Sequence, residues 1–184
     1  MGKISTLFAH VRRARSGKGI GFVGKNAPAV KPRAAALLVE LHGTDAGSAE
    51  AAVKAGADGL VFAWKSSAKP EELGKAIQAA RAVSDDALVG LRLSGGWEKL
   101  ERAEVEGLKD QGVNFLLLPL NAPARLLALE VKDLEYVVSI PMREGELYPV
   151  FMRNLSAFDN LAAVHLDFGL SSAVGNLSIE DILD

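Results

Sequence analysis

The stretch Ala52-Val-Lys-Ala-Gly56-Ala-Asp58-Gly59-Leu-Val-Phe62 sets the pattern of this chain: a small-residue helix end, a glycine that stops it, and an apolar run of strand character. Ser48 reads as the cap of that helix, which runs to about Lys54, and Gly56 as the residue that ends it. Gly112-Val113-Asn114-Phe115-Leu-Leu echoes the same turn and strand two units later. The short apolar stretches 35–41, 59–64, 87–93, 115–120, 136–140 and 162–168 read as six strands that alternate with helix-like segments. That alternation predicts an α/β domain with a parallel sheet of about six βα units.

The intervening helices carry their own punctuation. Pro70, Glu71 and Glu72 open one, where proline fits the first turn and acids suit the helix dipole. Another is read over about 97–110, stopped by Gly112. Asn121 and Pro123 start a fourth, 143–155 gives an irregular fifth broken by Pro149, and Ser178 caps a short last one. A closed (βα)8 barrel takes about 250 residues, so 184 residues and six units read as a shortened or incomplete TIM-barrel-like fold. The alternative is a doubly wound open sheet with helices on both faces.

The Gly56-Ala57-Asp58-Gly59 turn and its echo at Gly112 resemble the helix, turn and strand of the TIM-barrel superfamily, in particular the ribulose-phosphate-binding barrels, over roughly residues 35–170. The resemblance implies the barrel fold with ligands at the C-terminal strand ends. Those families hold substrate phosphate with the loops after strands seven and eight, which a six-unit reading does not contain. One fold hosts many chemistries, so the resemblance speaks to fold and not to activity.

Composition bounds the rest. At 49% hydrophobic residues the chain can bury one sizeable core. The absence of cysteine excludes disulfides and thiolate chemistry and suits a reducing, cytoplasmic setting. No apolar run reaches the roughly 18 residues of a membrane span, and no signal-peptide core is read. The net charge of −2 conceals an asymmetry: residues 1–39 hold eight bases and no acid, leaving 13 bases against all 23 acids in 40–184.

The expected organisation is therefore a basic N-terminal helix with a Gly/Pro-rich connector over 1–34, followed by a βα domain over 35–184. Ile4, Leu7, Phe8 and Val11 fall on one helix face. Such a stripe would cover the open bottom of a barrel; with Arg12, Arg13 and Arg15 beyond it, the alternative is docking on an anionic membrane or an acidic partner. Met-Gly-Lys-Ile-Ser-Thr at the start fits the loose myristoylation pattern and reads as coincidence. Gly19-Ile-Gly21-Phe-Val-Gly24-Lys25-Asn26 matches a dinucleotide glycine motif, but a basic segment precedes it and Pro28 and Pro32 follow. A connector is the better reading, because the motif needs a strand before it and a helix after it. No nucleic-acid partner is expected, since aromatic residues do not interleave with the bases.

Strand alternation locates a candidate site. If Leu37, Val39, Leu41, Leu60, Phe62, Val89, Leu91, Leu93, Phe115, Leu117, Tyr136, Val138, Val164 and Leu166 face the helices, the opposite set faces inward and is polar near the strand ends. Glu40, Asp167 and Lys65 are the candidate catalytic groups: Glu40 or Asp167 as proton shuttle, Lys65 as a Schiff-base amine or simply a solvated loop lysine. His42, Arg92, Ser94, Ser139 and His165 are the candidate substrate-binding groups, Arg92 as the anion clamp. The competing reading is that Glu40, Arg92 and Asp167 neutralise one another. His42 and His165 lack a firm third ligand, so no metal is expected, and no cofactor; neither serine sits in a nucleophile elbow.

The expectation for function is an oligomeric scaffold or weak small-molecule binder, most simply a homodimer that covers the two open sheet edges. The alternatives are a lyase or isomerase acting on a small, possibly phosphorylated, substrate at the C-terminal strand ends, and a membrane- or partner-docking protein working through its basic N-terminus. Membrane contact ranks below the small-molecule readings.

Overall fold

The computed structural model describes residues 3–16, 35–65, 70–97, 100–141, 153–159 and 161–167. The Gly19–Asn26 motif, the proposed last helix and most of the irregular fifth lie outside them. The strands are β1 (Leu38–Leu41), β2 (Gly59–Trp64), β3 (Leu88–Leu93), β4 (Phe115–Pro119), β5 (Glu135–Pro141) and β6 (Leu161–Asp167). The helices are α1 (Lys3–Ser16), α2 (Ala46–Lys54), α3 (Pro70–Val83) and α4 (Arg102–Asp110), with a 3-10 helix at Ala124–Ala128. All neighbouring strands pair in parallel, in the order β1-β2-β3-β4-β5-β6.

That order corrects the doubly wound alternative, which needs a reversal of strand order at a switch point. The chain has a shortened TIM-barrel-like fold: six parallel strands curled into a half-barrel. Its curl is visible in one side chain. Arg92 of β3 contacts Glu40 of β1 and lies 3.8 Å from Asp167 of β6. In a flat sheet β3 and β6 would stand about 14 Å apart, three spacings of about 4.8 Å. Only a concave face lets one guanidinium reach both outer strands.

The repeated turn is the structural unit that starts the strands. Gly56 and Gly112 follow α2 and α4 with φ of 103° and 105°, a left-handed conformation that suits glycine. In each case the two residues after the helix cap donate back to its last turn: Gly56 N to Val53 O and Ala57 N to Ala52 O, Gly112 N to Lys109 O and Val113 N to Leu108 O. The next residue then pins a preceding strand. Asp58 Oδ2 accepts from Leu37 N at 2.8 Å, and Asn114 Oδ1 accepts from Val89 N at 3.0 Å.

Three helix expectations shift. Asp45, not Ser48, caps α2, its carboxylate accepting from Ser48 N at 2.7 Å. α4 begins at Arg102 instead of about 97 because the Arg125 guanidinium holds the carbonyls of Leu100 and Trp97, and Glu104 turns back to accept from Glu101 N. The fourth helix shrinks to the 3-10 turn, whose exit is fixed by Tyr136 Oη donating to Leu129 O at 2.6 Å. Burial pushes that tyrosine's pKa up to about 12.

The sheet divides two cores. On the outer face Leu60, Phe62, Trp64, Val89, Leu91, Leu116, Leu118 and Tyr136 pack against Val53, Leu73, Ile77, Val105 and Leu108 of the crossover helices. On the inner face Val61, Leu88, Phe115, Leu117 and Val137 pack against Ile4 of α1. Phe115 and Leu117 therefore face inward, a correction to the expected phase of β4. Register requires it, since Leu116 pairs with the outward Leu91 and Tyr136.

α1 covers the inner face from the N-terminal rim. Ile4 is 2% exposed. Leu7 packs in the same cluster beside Leu38 of β1 and Ala162 and Ala163 of β6. The helix start is held by Glu135 at the head of β5: its Oε2 accepts from Ile4 N at 2.7 Å and its Oε1 from Ser5 Oγ at 3.2 Å. A carboxylate there meets one of the helix's unsatisfied N–H groups, a first-turn hydroxyl and the positive end of the helix dipole. No helix among the described residues is long and apolar enough to cross a membrane.

Two changes test this packing. A Cβ at Gly90 would lie 2.1 Å from Cζ of the Phe115 ring, so Gly90→Ala should destabilise by about 1–3 kcal/mol, and Phe115→Leu in the same chain should restore part of the loss in urea unfolding. Glu135→Ala should raise amide exchange in α1 while leaving β2 to β4 protected; equal protection of α1 in both proteins would disprove the capping role.

Candidate functional site

The strands deliver five of the eight candidate residues to the concave face. Parallel register puts Glu40 beside Val61, Arg92 beside Ala63, and Ser139 beside His165, all toward the C-terminal ends. Glu40 holds Arg92 by two arms: Arg92 Nη2 donates to Glu40 Oε2 at 2.8 Å, and Nε makes a close ion contact with Oε1 at 2.7 Å that is too poorly aligned to be a hydrogen bond. Nη1 turns to Asp167 Oδ2 at 3.8 Å, an ion contact longer than a hydrogen bond. The charges do partner one another, as the neutralising reading expects. The partnership is lopsided, tight to Glu40 and loose to Asp167.

Beside this group Ser139, 7% exposed, shares a hydrogen bond with His165 at 2.9 Å between Oγ and Nδ1. His165 is held below the ordinary histidine pKa of 6.5, first by burial and then by the positive charge of Arg92, with Asp167 and Glu40 pulling the other way. At neutral pH its imidazole is uncharged, able to give a proton at one nitrogen and take one at the other.

Arg92, Glu40 and His165 form one end of a cavity of about 260 Å³. Its remaining wall is apolar: Leu38, Val61, Phe115, Leu117, Val137, Ala163 and Val164 of the sheet, with Ile4, Leu7 and Phe8 of α1. Reading strand ends alone misses this floor. The apolar stripe of α1 was the available signal for half of it; the other half was hidden by the phase of β4.

The other three candidates stand elsewhere. Ser94 N and Oγ both donate to Trp64 O, at 2.9 and 3.0 Å, and so latch the ends of β2 and β3. His42 and Lys65 are exposed just past β1 and β2 and do not line the cavity. Among the described residues no group of three or more His, Cys, Asp or Glu side chains could hold a metal.

The pH dependence of stability follows from His165. The folded protein binds its proton more weakly than the unfolded chain, so its contribution is fully present above about 6.5 and is lost as pH falls from there through the folded value. His165→Asn should therefore lose less Tm than the parent between pH 7 and 5; parallel declines in thermal unfolding would refute the assignment.

Comparison with known proteins bears on the fold. No protein-family model matches the chain, and no curated protein matches it. Solved structures do. One is described as a "putative phosphonomutase" from Burkholderia cenocepacia: TM-score 0.52, 18% identity, 75% of this chain and 66% of that one covered. Another is described as a "putative lyase/mutase" from the same organism: TM-score 0.53, 15% identity, 78% of this chain and 59% of that one. The chain thus spans less than two thirds of either. At such identities the likeness is one of fold. It corrects the expectation of a scaffold or weak binder all the same, since structures with this arrangement are named as enzymes, and it agrees with the lyase or isomerase alternative.

Proposed function

We propose that this protein is a lyase or isomerase acting on a small oxyanion-bearing substrate at the C-terminal ends of its strands. The observation that carries the reading is the asymmetric hold on Arg92. Glu40 fixes the guanidinium through its Nε and Nη2 side, while the contact of Nη1 to Asp167 is long, at 3.8 Å. A substrate oxyanion entering there gains a charge-assisted hydrogen bond in a direction already set. The same step brings the substrate against Asp167 and His165.

Lyases and isomerases of small acids share one demand. Negative charge builds on an oxygen while a proton or a carbon-bonded group leaves a neighbouring atom and is returned or replaced. Arg92 stabilises the developing charge, and uncharged His165, steadied by Ser139, exchanges the proton. Asp167, two residues further along the same strand face, is the second carboxylate within reach. Lys65 has no step here. The phosphonomutase and lyase/mutase names of the structural neighbours support this class, with small phosphonates and carboxylic acids as the substrates to try first.

Turnover is the test. The protein is incubated with a panel of small phosphonates and hydroxy and oxo acids, and consumption is followed by ³¹P and ¹H NMR. Arg92→Ala, folded by circular dichroism, should lower kcat/KM on any substrate found by about 10²–10³, Arg92→Lys by less, and His165→Asn should flatten the pH profile. Unchanged turnover in Arg92→Ala, or no consumption of any panel member, would overturn the proposal.

A further inference from the structure

We infer that the substrate is amphiphilic: an acid whose oxyanion meets Arg92 and whose apolar tail of about four to six carbons fills the cavity beneath it. This rests on the site proposed above and adds the chemistry of the part of the ligand that does not react.

Three observations lead there. The polar groups are confined to one end, where Glu40, Arg92 and His165 stand on the C-terminal halves of β1, β3 and β6. Below them Val61, Phe115, Leu117 and Val137 offer neither donor nor acceptor, so a sugar or polyol chain there would lose its hydrogen bonds to water without replacement. Size is the third. Apolar cavities of about 150 Å³ take up benzene, so about 260 Å³ has room for a chain of four to six carbons as well as a head group.

The tail's length is set by α1. Leu7 and Phe8 close the cavity opposite the sheet, and Phe8 is 43% exposed, so it forms the outer wall and is not an irreplaceable part of the core. A helix that comes before β1 in the chain thereby selects ligands for residues on β3 and β6.

The experiment is calorimetric titration of the full chain with straight-chain carboxylates from acetate to decanoate. Affinity should rise roughly fourfold per methylene, level off at about five to seven carbons in total, and fall beyond. Ala163→Leu should shorten the optimum by a carbon or two, and Phe8→Ala should lengthen it, the second change being safe for folding. Arg92→Ala should weaken every chain length by a similar factor. Affinity independent of length but lost in Arg92→Ala would overturn the tail while leaving the site reading intact. Length dependence untouched by Arg92→Ala would overturn the head-to-tail arrangement and count against the site itself. No binding at any length in the parent protein would also overturn the inference, whatever the turnover panel gives.

Discussion

A parallel sheet wound in one direction can cover only one of its faces with its own crossovers. Right-handed connections between sequential strands all pass on the same side, and here α2, α3 and α4 bury Phe62, Leu91 and Leu116 on the outer face. Among the described residues no crossover covers the inner face. A closed barrel solves this by filling its interior with its own side chains. Six curled strands cannot, because the layers that would meet Val61, Phe115 and Leu117 are incomplete. α1 answers the constraint: Ile4 and Leu7 give the inner face its missing apolar partners.

The site inherits its character from that solution. Because α1 enters at the N-terminal rim, tethered to Glu135, it fills the lower part of the concavity and leaves the upper part to Glu40, Arg92 and His165. Charge placed there is neither fully buried nor fully wet. Arg92 and Glu40 have side chains 25% and 36% exposed, so their pairing is screened and adds little to stability, and its consequence is geometric: the guanidinium has one orientation. His165 has the opposite experience. Burial and a neighbouring cation leave it neutral, the form in which an imidazole can relay a proton.

Much of this was legible in the residues, for reasons that differ by element. Strands bounded by Gly56-Ala-Asp and Gly112-Val-Asn could be placed because the turn chemistry is local. Glu40, Arg92 and Asp167 stood out because charge on an otherwise apolar strand has to be explained. The phase of β4 was not legible: Phe115-Leu-Leu-Leu is apolar at every position and carries no alternation to read. Ser94, His42 and Lys65 follow the last strand residue, where the two-residue period stops governing direction: Ser94 turns to the Trp64 carbonyl, and exposed Lys65 fits its reading as a solvated loop lysine. Glu135 gave no signal at all. Its partner lies 131 residues away in sequence, and nothing in the residues around it points to Ile4.

The dual service of α1 ties stability to the shape of the cavity. A side chain on its inner stripe is at once part of the apolar cluster that completes the fold and part of the cavity wall. Ile4 belongs mainly to the first role, being almost wholly buried against Phe115 and Val137, whereas Phe8, facing both cavity and solvent, belongs mainly to the second. Substitution at Ile4 must cost stability before it changes recognition, while Phe8 can vary at little structural cost. The strands that carry the polar end are constrained by the register of the strands they pair with, and each inner residue there supports its neighbours. The helix in front of them is constrained along one stripe, so the freedom to reshape the cavity without disturbing the polar end lies at the outer edge of α1.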